Sequence, residues 1–441
     1  MWLTLNSGLL CLMLMLAPSV ADAANWFVSA AGNNTAGTNW TTAYTQLASA
    51  HTAASRGDTI YVADGTYNGA TLNKATSGVT VITIKKCSAS DHGTETGYSA
   101  AICDGQATFT GDIQFGTDNW TWNGVYRTES NWDDGTAYGF RLLSAEFFSS
   151  DQAFAVCADN VTIKYTNAGG PETSVYNGTG VGEALYNLGV SNLCQNWQID
   201  HNYLHNADHF TIIQFAGVDG QTVEYNLLKN GWGKEALRGQ SIARNLTIRY
   251  NRFHNACGTT GVVGEGCTGE IAIWDGGAGA FNNVKIYGNT FYRTRDENSG
   301  GTIIVGGDGV SWAGSPTNNT LVYNNTIAGI QIFSAVAPSI TINGGTGNIC
   351  RNTLWYDVIG TPTCLANTTS NNGEVTVNPF VDYGTGNLRL SGHTAAGFAI
   401  GAPYDVTMDG VTRKSWDRGA FEFATGGDLT PPAAPTNLLI Q

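Results

Sequence analysis

One phrase recurs through the chain: QIDHNYLHN at 198–206, TVEYNLLKN at 222–230, TIRYNRFHN at 247–255, KIYGNTFYR at 285–293 and LVYNNTIAG at 321–329. Each copy carries an asparagine at its centre, an apolar residue three before it and another two after it. With that asparagine as position zero, the register runs Asn123, Asn202, Asn226, Asn251, Asn289, Asn325 and Asn352, and Thr166 takes the same place. From Asn202 onward the separations are 24, 25, 38, 36 and 27 residues. Repeats of roughly 20 to 45 residues have the size of solenoid units. Short β-branched and aromatic runs alternate with period two in each copy, and no helical spacing persists across the array, which predicts an all-β solenoid.

Stacked coils turn such a register into columns. Ile199, Val223, Ile248, Ile286, Val322 and Ile349 at position minus three, and Leu204, Leu228, Phe253, Phe291, Ile327 and Leu354 at plus two, are expected to face inward. The asparagine between them tolerates a left-handed turn and offers its amide to its equivalent one coil away. Asn206, Asn230 and Asn255 suggest a second asparagine column. Longer spacings mark loops inserted into particular coils, and such loops collect on one functional face.

The 441 residues are 42% hydrophobic and 13% charged, with 56 Gly and 10 Pro, a turn-rich profile that opposes disorder. The apolar run in MWLTLNSGLLCLMLMLAPSVADA, closed by Ala21, Asp22 and Ala23, reads as a secretory signal over 1–23, although no Lys or Arg precedes it. It is short for a membrane span. Cys11 lies in that signal, so 9 minus 1 leaves 8 cysteines: Cys87, Cys103, Cys157, Cys194, Cys257, Cys267, Cys350 and Cys364. An even set in an exported chain reads as disulfides, with nearest neighbours paired, and the lack of C-x-x-C gives no support to a zinc site. A formal net charge of -14 and no basic stripe argue against a nucleic-acid partner. The same acidity makes a polyanionic glycan depend on a local basic column or on cations.

Solenoid ends expose strand edges and need caps. Residues 24–60 form the predicted N-terminal cap, with Tyr44, Leu47 and Ala50 at helical spacing. Residues 61–424 form the solenoid and its closing segment, which includes NPFVDYGTGNLRLS and DRGAFEF, and 425–441 read as a linker-like tail.

The opening NWFVSAAGNN, the strand GDTIYVADGTYNG, the N-x-F phrases and the DRGAFEF ending together resemble bacterial secreted right-handed parallel β-helix proteins of the pectin-lyase-like superfamily. That resemblance implies the fold for nearly all of the mature chain, in a superfamily whose activities range from lyases to adhesins. NGWGKEALRGQSIARNLTIRYNRF at 230–253 is similar to the signature of the alginate lyase and chondroitinase B family. Glu235 matches the family acid, Ser241 its serine, and Asn251 to Phe253 its N-x-F phrase. Gln240 stands where the family has its Lys, and GVVGEG at 261–266 lacks the family's Arg, so the family mechanism does not transfer.

Chemistry is therefore sought in outward columns. Position plus three gives His205, Lys229, His254 and Tyr292, a basic and aromatic stripe. His205, Lys229 and His254 are the candidate acid and base groups for proton abstraction beside a uronate carboxyl. Position minus two gives Asp200, Glu224 and Arg249, then Tyr287 and Tyr323. Asp200 and Glu224, grouped with Glu235, are the candidate ligands for calcium, which takes several oxygens. A solvated ion ladder is the plainer reading of that column. His201, His205 and His209 are four apart, which on a strand separates them by about 13 Å and argues against a metal face. Trp232, Arg238 and Tyr292 are the candidate sugar-binding residues, the first two near a loop where Lys234 and Glu235 add charge. Loops at 261–277 and 293–301 are expected to wall a groove.

These residues lead to an exported, single-domain, disulfide-stapled β-helix that recognises polysaccharide along its side, with β-elimination as its chemistry and calcium as its expected cofactor. The alternative is a noncatalytic surface, adhesion or matrix protein that assembles with its own copies. Secretion or cell-surface display is expected in either case.

Overall fold

The structure is a computed structural model describing residues 23–143, 145, 147–148, 157–169, 185–187, 194–207, 211–215, 217–231, 235–240, 243–256, 269–274, 281–293, 302–306, 316–329 and 339–423. Residues 1–22 of the expected signal, the expected tail at 425–441, Trp232, Ser241, Cys257 and Cys267 lie outside them.

Each turn of the chain visits one strand in each of several long sheets. Gln198–Asp200 belongs to a 12-stranded sheet, Tyr203–His205 to an 11-stranded sheet, Thr211–Phe215 to a 10-stranded sheet and Val218–Asp219 to a 5-stranded one. Thr222–Glu224 then lies parallel beside Gln198–Asp200, one coil on. Among the described residues every pairing between coils is parallel, and the lone antiparallel ladder joins Phe380–Asp382 to Asn387–Leu390 in the closing segment. This is a parallel β-helix, and parallel crossovers take the right hand.

The predicted columns are present. Ile199, Val223, Ile248, Ile286 and Val322 pair in one register, as do Leu204, Leu228, Phe253, Phe291 and Ile327, and all ten side chains are fully buried. Between the columns runs an amide ladder. Asn226 Oδ1 accepts from the backbone N–H (2.9 Å) and Nδ2 (3.0 Å) of Asn202, and Asn226 Nδ2 donates to Ile199 O (2.8 Å) and Asn251 Oδ1 (3.0 Å). Asn251, Asn289 and Asn325 repeat the pattern, and Thr166 N–H enters it through Asn202 Oδ1. A buried amide satisfied on both sides locks each coil to the next.

Four details of the register differ from the sequence reading. The left-handed residue is the one before position zero: His201, Tyr225, Tyr250, Gly288 and Asn324 have φ of 56, 53, 57, 66 and 53°. Asn123 pairs with Lys164, two places short of the ladder position held by Thr166. At the last phrase the chain slips by one residue, so Cys350 and Trp355 replace Ile349 and Leu354 as the inward pair. Asn352 moves to a left-handed turn (φ 57°) and bonds the backbone of Phe398 instead. Finally, the cap helix spans only Leu47–Ala53, without Tyr44, and strand Thr59–Val62 crosses the expected boundary at 60. Leu47, Ala50 and Ala54 of the cap are buried on the core.

Asn206, Asn230 and Asn255 form the expected second column, each left-handed at φ of 55, 54 and 52°. A third column, Asn119, Asn160 and Asn196, continued by Asn245 and Asn283, turns the opposite corner and links amide to amide at 3.0 and 2.7 Å. Disulfides join Cys87 to Cys103, Cys157 to Cys194 and Cys350 to Cys364, each a nearest-neighbour pair, and they fit an oxidising compartment. No helix among the described residues is long and apolar enough to cross a membrane.

Candidate functional site

The outward face of the 11-stranded sheet is covered by two segments, one on each side of a cavity of about 300 Å³. The first is the excursion between strands Trp120–Asn123 and Phe140–Leu143, which carries Ser130, Asn131, Trp132 and Asp133 to the cavity. The second is the closing hairpin, which brings Thr385, Gly386, Asn387, Leu388 and Arg389, with Phe421 beyond it. The floor is strand Arg252–His254 beside strand Thr290–Tyr292. The expected wall loops at 261–277 and 293–301 lie mostly outside the described residues, so the observed walls come from segments remote in sequence.

Period-two alternation places Arg252 and His254 on one face of their strand, roughly 6.6 Å apart. Arg252 stacks on the Trp132 indole, 3.8 Å from the ring centre, and Arg127 covers the other face of the same ring at 3.8 Å. Arg127 is itself forked onto Glu129 (2.9 and 3.0 Å), which also accepts from Trp132 Nε1 (3.2 Å). Arg252 lines the cavity and makes no hydrogen bond to a described residue. Burial, with the positive charges of Arg389 and Arg127, brings its pKa down to about 10, and it stays charged at neutral pH.

Burial lowers the His254 pKa to about 4, and the nearby Lys229, Arg252 and Arg293 push the same way against Asp133. Its imidazole is neutral at pH 7 and holds a lone pair. The Tyr292 ring lies 4.6 Å from it, and burial raises the phenol pKa, keeping the O–H protonated. That O–H donates to Gly384 O at 3.1 Å. Asp133 pairs with Lys229 at 3.2 Å, and Arg389 is forked onto Asp409 at 2.9 and 2.7 Å.

The plus-three column is thus real, since His205, Lys229, His254 and Tyr292 are successive register partners, but its members meet different surroundings. His254 and Tyr292 line the cavity, whereas Lys229 reaches it only through Asp133. His205 is buried, donates from Nε2 to Asn167 Oδ1 (2.6 Å), and burial brings its pKa down to about 3. Arg238 stands half-buried on the 10-stranded sheet, paired in register with Gln214 and Ala272, outside the cavity.

The candidate calcium ligands do not converge. Glu224 holds Arg249 (2.6 Å), Asp200 holds His201, and Glu235 is buried on the 10-stranded sheet while the other two belong to the 12-stranded one. Among the described residues no three His, Cys, Asp or Glu side chains form a group that would hold an ion. Asp200, Glu224 and Glu235 thus make no shared site among the described residues.

Sequence reasoning missed Trp132, Asp133, Arg252 and Arg389. Arg252 had a signal: plus one has the same parity as plus three, so the outward column Tyr203, Leu227, Arg252 and Thr290 was readable from the phrase itself.

No protein-family model matches the chain, and no curated protein matches it. Among solved structures it is similar to a mannuronic-acid-specific polysaccharide family 6 lyase from human gut microbiota, with 13% identity and a TM-score of 0.39 over 70% of this chain and 61% of that one. It therefore spans less than two thirds of that enzyme. It is also similar to pectate lyase Pel9A, with 12% identity and a TM-score of 0.41 over 92% of this chain and 97% of that one. A third is PfbA, a surface adhesin of Streptococcus pneumoniae, with 12% identity and a TM-score of 0.36 over 72% of this chain and 69% of that one.

Proposed function

We propose that the protein is an extracellular polysaccharide-recognising β-helix whose cavity performs β-elimination on a uronate-containing glycan. The observation that carries this reading is the placement of the Arg252 guanidinium, bonded to no described residue, beside a neutral His254 and a protonated Tyr292 in one cavity. Arg252 grips the uronate carboxylate through two parallel hydrogen bonds and stabilises the negative charge that develops as the neighbouring carbon is deprotonated. A lone pair of His254 takes that proton. The electrons of the broken C–H bond form the carbon–carbon double bond and expel the glycosidic oxygen, which takes the Tyr292 proton as that O–H turns away from Gly384 O. Proton exchange with water resets both side chains. Lys229 acts through Asp133, and His205, two coils upstream of His254 in the same column, is tied to Asn167.

The test is ultraviolet absorbance of the conjugated unsaturated uronate, followed over a panel of acidic polysaccharides with wild type, His254→Ala and Tyr292→Phe. Product from the wild type and loss in both variants are expected. Unchanged product formation in both variants refutes the assignment. A noncatalytic surface or matrix role is the second reading, favoured by Gln240 at the family's Lys position. It predicts glycan binding or self-association with no new unsaturated or reducing ends.

A further inference from the structure

The cavity is enclosed on three sides, and this bears on what part of a glycan it can receive. Upstream, the excursion lies across the coils of Tyr203 and Leu227: the Tyr138 ring stands 6.2 Å from Tyr203, and Arg127 donates to the Tyr225 carbonyl. Downstream, Gly386 presses on the floor so closely that a Cβ there would sit 2.6 Å from His254 Nε2 and 2.9 Å from the Tyr292 ring. The next coil is covered as well, because Ala420 N–H donates to Thr326 Oγ1 at 2.9 Å. At the turn side, Tyr250 O–H donates to Val406 O at 3.2 Å, and Tyr404 packs on Tyr287. A polymer laid along the helix axis would have to displace Trp132 or the closing hairpin. A volume of about 300 Å³ is also at the small end for ligand pockets.

Building on the glycan reading above, we infer that the cavity takes the terminal acidic sugar of a chain, carboxylate on Arg252, and excludes internal segments. Trp132 is a positioning residue in this arrangement. Both faces of its indole are taken by guanidinium groups, so it is not a sugar-stacking platform, and it instead holds Arg252 with its fork toward the cavity. Discrimination for an acidic unit comes from that fork, which a lysine ammonium cannot reproduce.

The experiment is titration calorimetry on the full chain carrying His254→Ala, which blocks turnover, with oligogalacturonates and oligomannuronates from monomer to octamer and neutral malto-oligosaccharides as controls. The affinity for one acidic series is expected to level off by the dimer, the neutral series to be silent, and Arg252→Lys to weaken the acidic series at least tenfold with an unchanged thermal midpoint. Trp132→Phe, which keeps one aromatic face for Arg252, is expected to retain most of the affinity that Trp132→Ala loses. Affinity that keeps rising to the octamer, equal binding of acidic and neutral series, or no binding by any probe overturns the inference. Its fate separates from that of the lyase reading. A plateau at the dimer without unsaturated product from the wild type removes the chemistry and keeps the terminal pocket. Early mid-length unsaturated fragments keep the chemistry and remove the pocket's terminal preference.

Discussion

Replacing Asn226 tests whether the interior amide ladder or the turn chemistry of asparagine holds the coils together. In Asn226→Ala, the backbone N–H of Asn202, one hydrogen of its amide and the Ile199 carbonyl lose their partners in a fully buried site. Each orphaned buried group costs about 1–3 kcal/mol, so the loss should be about 3–6 kcal/mol after partial relaxation. Asn230 is the control. It is half-buried, its Oδ1 accepts a single bond from Asn255 (3.2 Å), and its φ is 54°. Asn230→Ala should cost about 1–2 kcal/mol, chiefly because alanine lacks the short polar side chain that eases asparagine into a left-handed turn, and Asn230→Gly should cost less because glycine takes that conformation freely. Glycine at 226 should rescue nothing, since Asn226 is not left-handed. Urea unfolding followed by tryptophan fluorescence gives the order. If Asn226→Ala costs no more than Asn230→Ala, the ladder is not what binds successive coils.

Other outcomes follow from the same geometry. His205 has a folded pKa of about 3 against 6.5 in the unfolded chain, so the unfolded state binds a proton first. Its stabilisation is complete above pH 6.5 and declines as pH falls toward 3, reaching a loss of roughly 2 kcal/mol at pH 5. His51 and His254, both with pKa about 4, act with the same sign. Urea midpoints at pH 7 and pH 5 should converge in His205→Asn relative to wild type, and equal pH slopes would refute the linkage. Cys157→Ala with Cys194→Ala opens a bridge of sequence separation 37. It should lower stability by about 2–4 kcal/mol, seen as a lower urea midpoint that reductant does not shift further at this bridge. Removing Asp133 by Asp133→Asn should raise the salt sensitivity of acidic-glycan binding, because Lys229 then faces the cavity without its partner. An unchanged salt slope would show that Lys229 does not contribute to the site's field.

The fold was largely legible because stacking is a one-dimensional constraint. An inward column must be apolar at every coil, so Ile199, Val223 and Ile248 announce one another across the sequence. The slip at Asn352 was not legible, because Ile349 and Cys350 are both apolar enough for the core and only pairing decides between them. The stripe of His205, Lys229, His254 and Tyr292 was readable for the same reason as the core, yet its chemistry was not. Whether a column faces solvent, a partner side chain or a cavity depends on what lies over it, and Trp132 and Gly386 reach it from 120 residues upstream and 132 downstream of Arg252 and His254, respectively. Glu235 lies on a different sheet from Asp200 and Glu224 because a coil crosses several sheets, and proximity in sequence is not a shared face.

The two coverings also fix when the site comes into being. Coils pair with immediate neighbours, so the solenoid grows by short closures, whereas the Arg127 bond to Tyr225 spans 98 residues, Tyr292 to Gly384 spans 92, Ala420 to Thr326 spans 94 and Tyr250 to Val406 spans 156. Loop-closure entropy delays such contacts until the intervening coils have shortened the distance between their ends. During vectorial passage of the chain, the floor strands Arg252–His254 and Thr290–Tyr292 are made well before the hairpin that roofs them. A partly emerged chain therefore owns a core but no site. Competence arrives in one late step, as a property of the finished molecule, and a chain cut short before the hairpin would keep its regular body while remaining blind to its ligand.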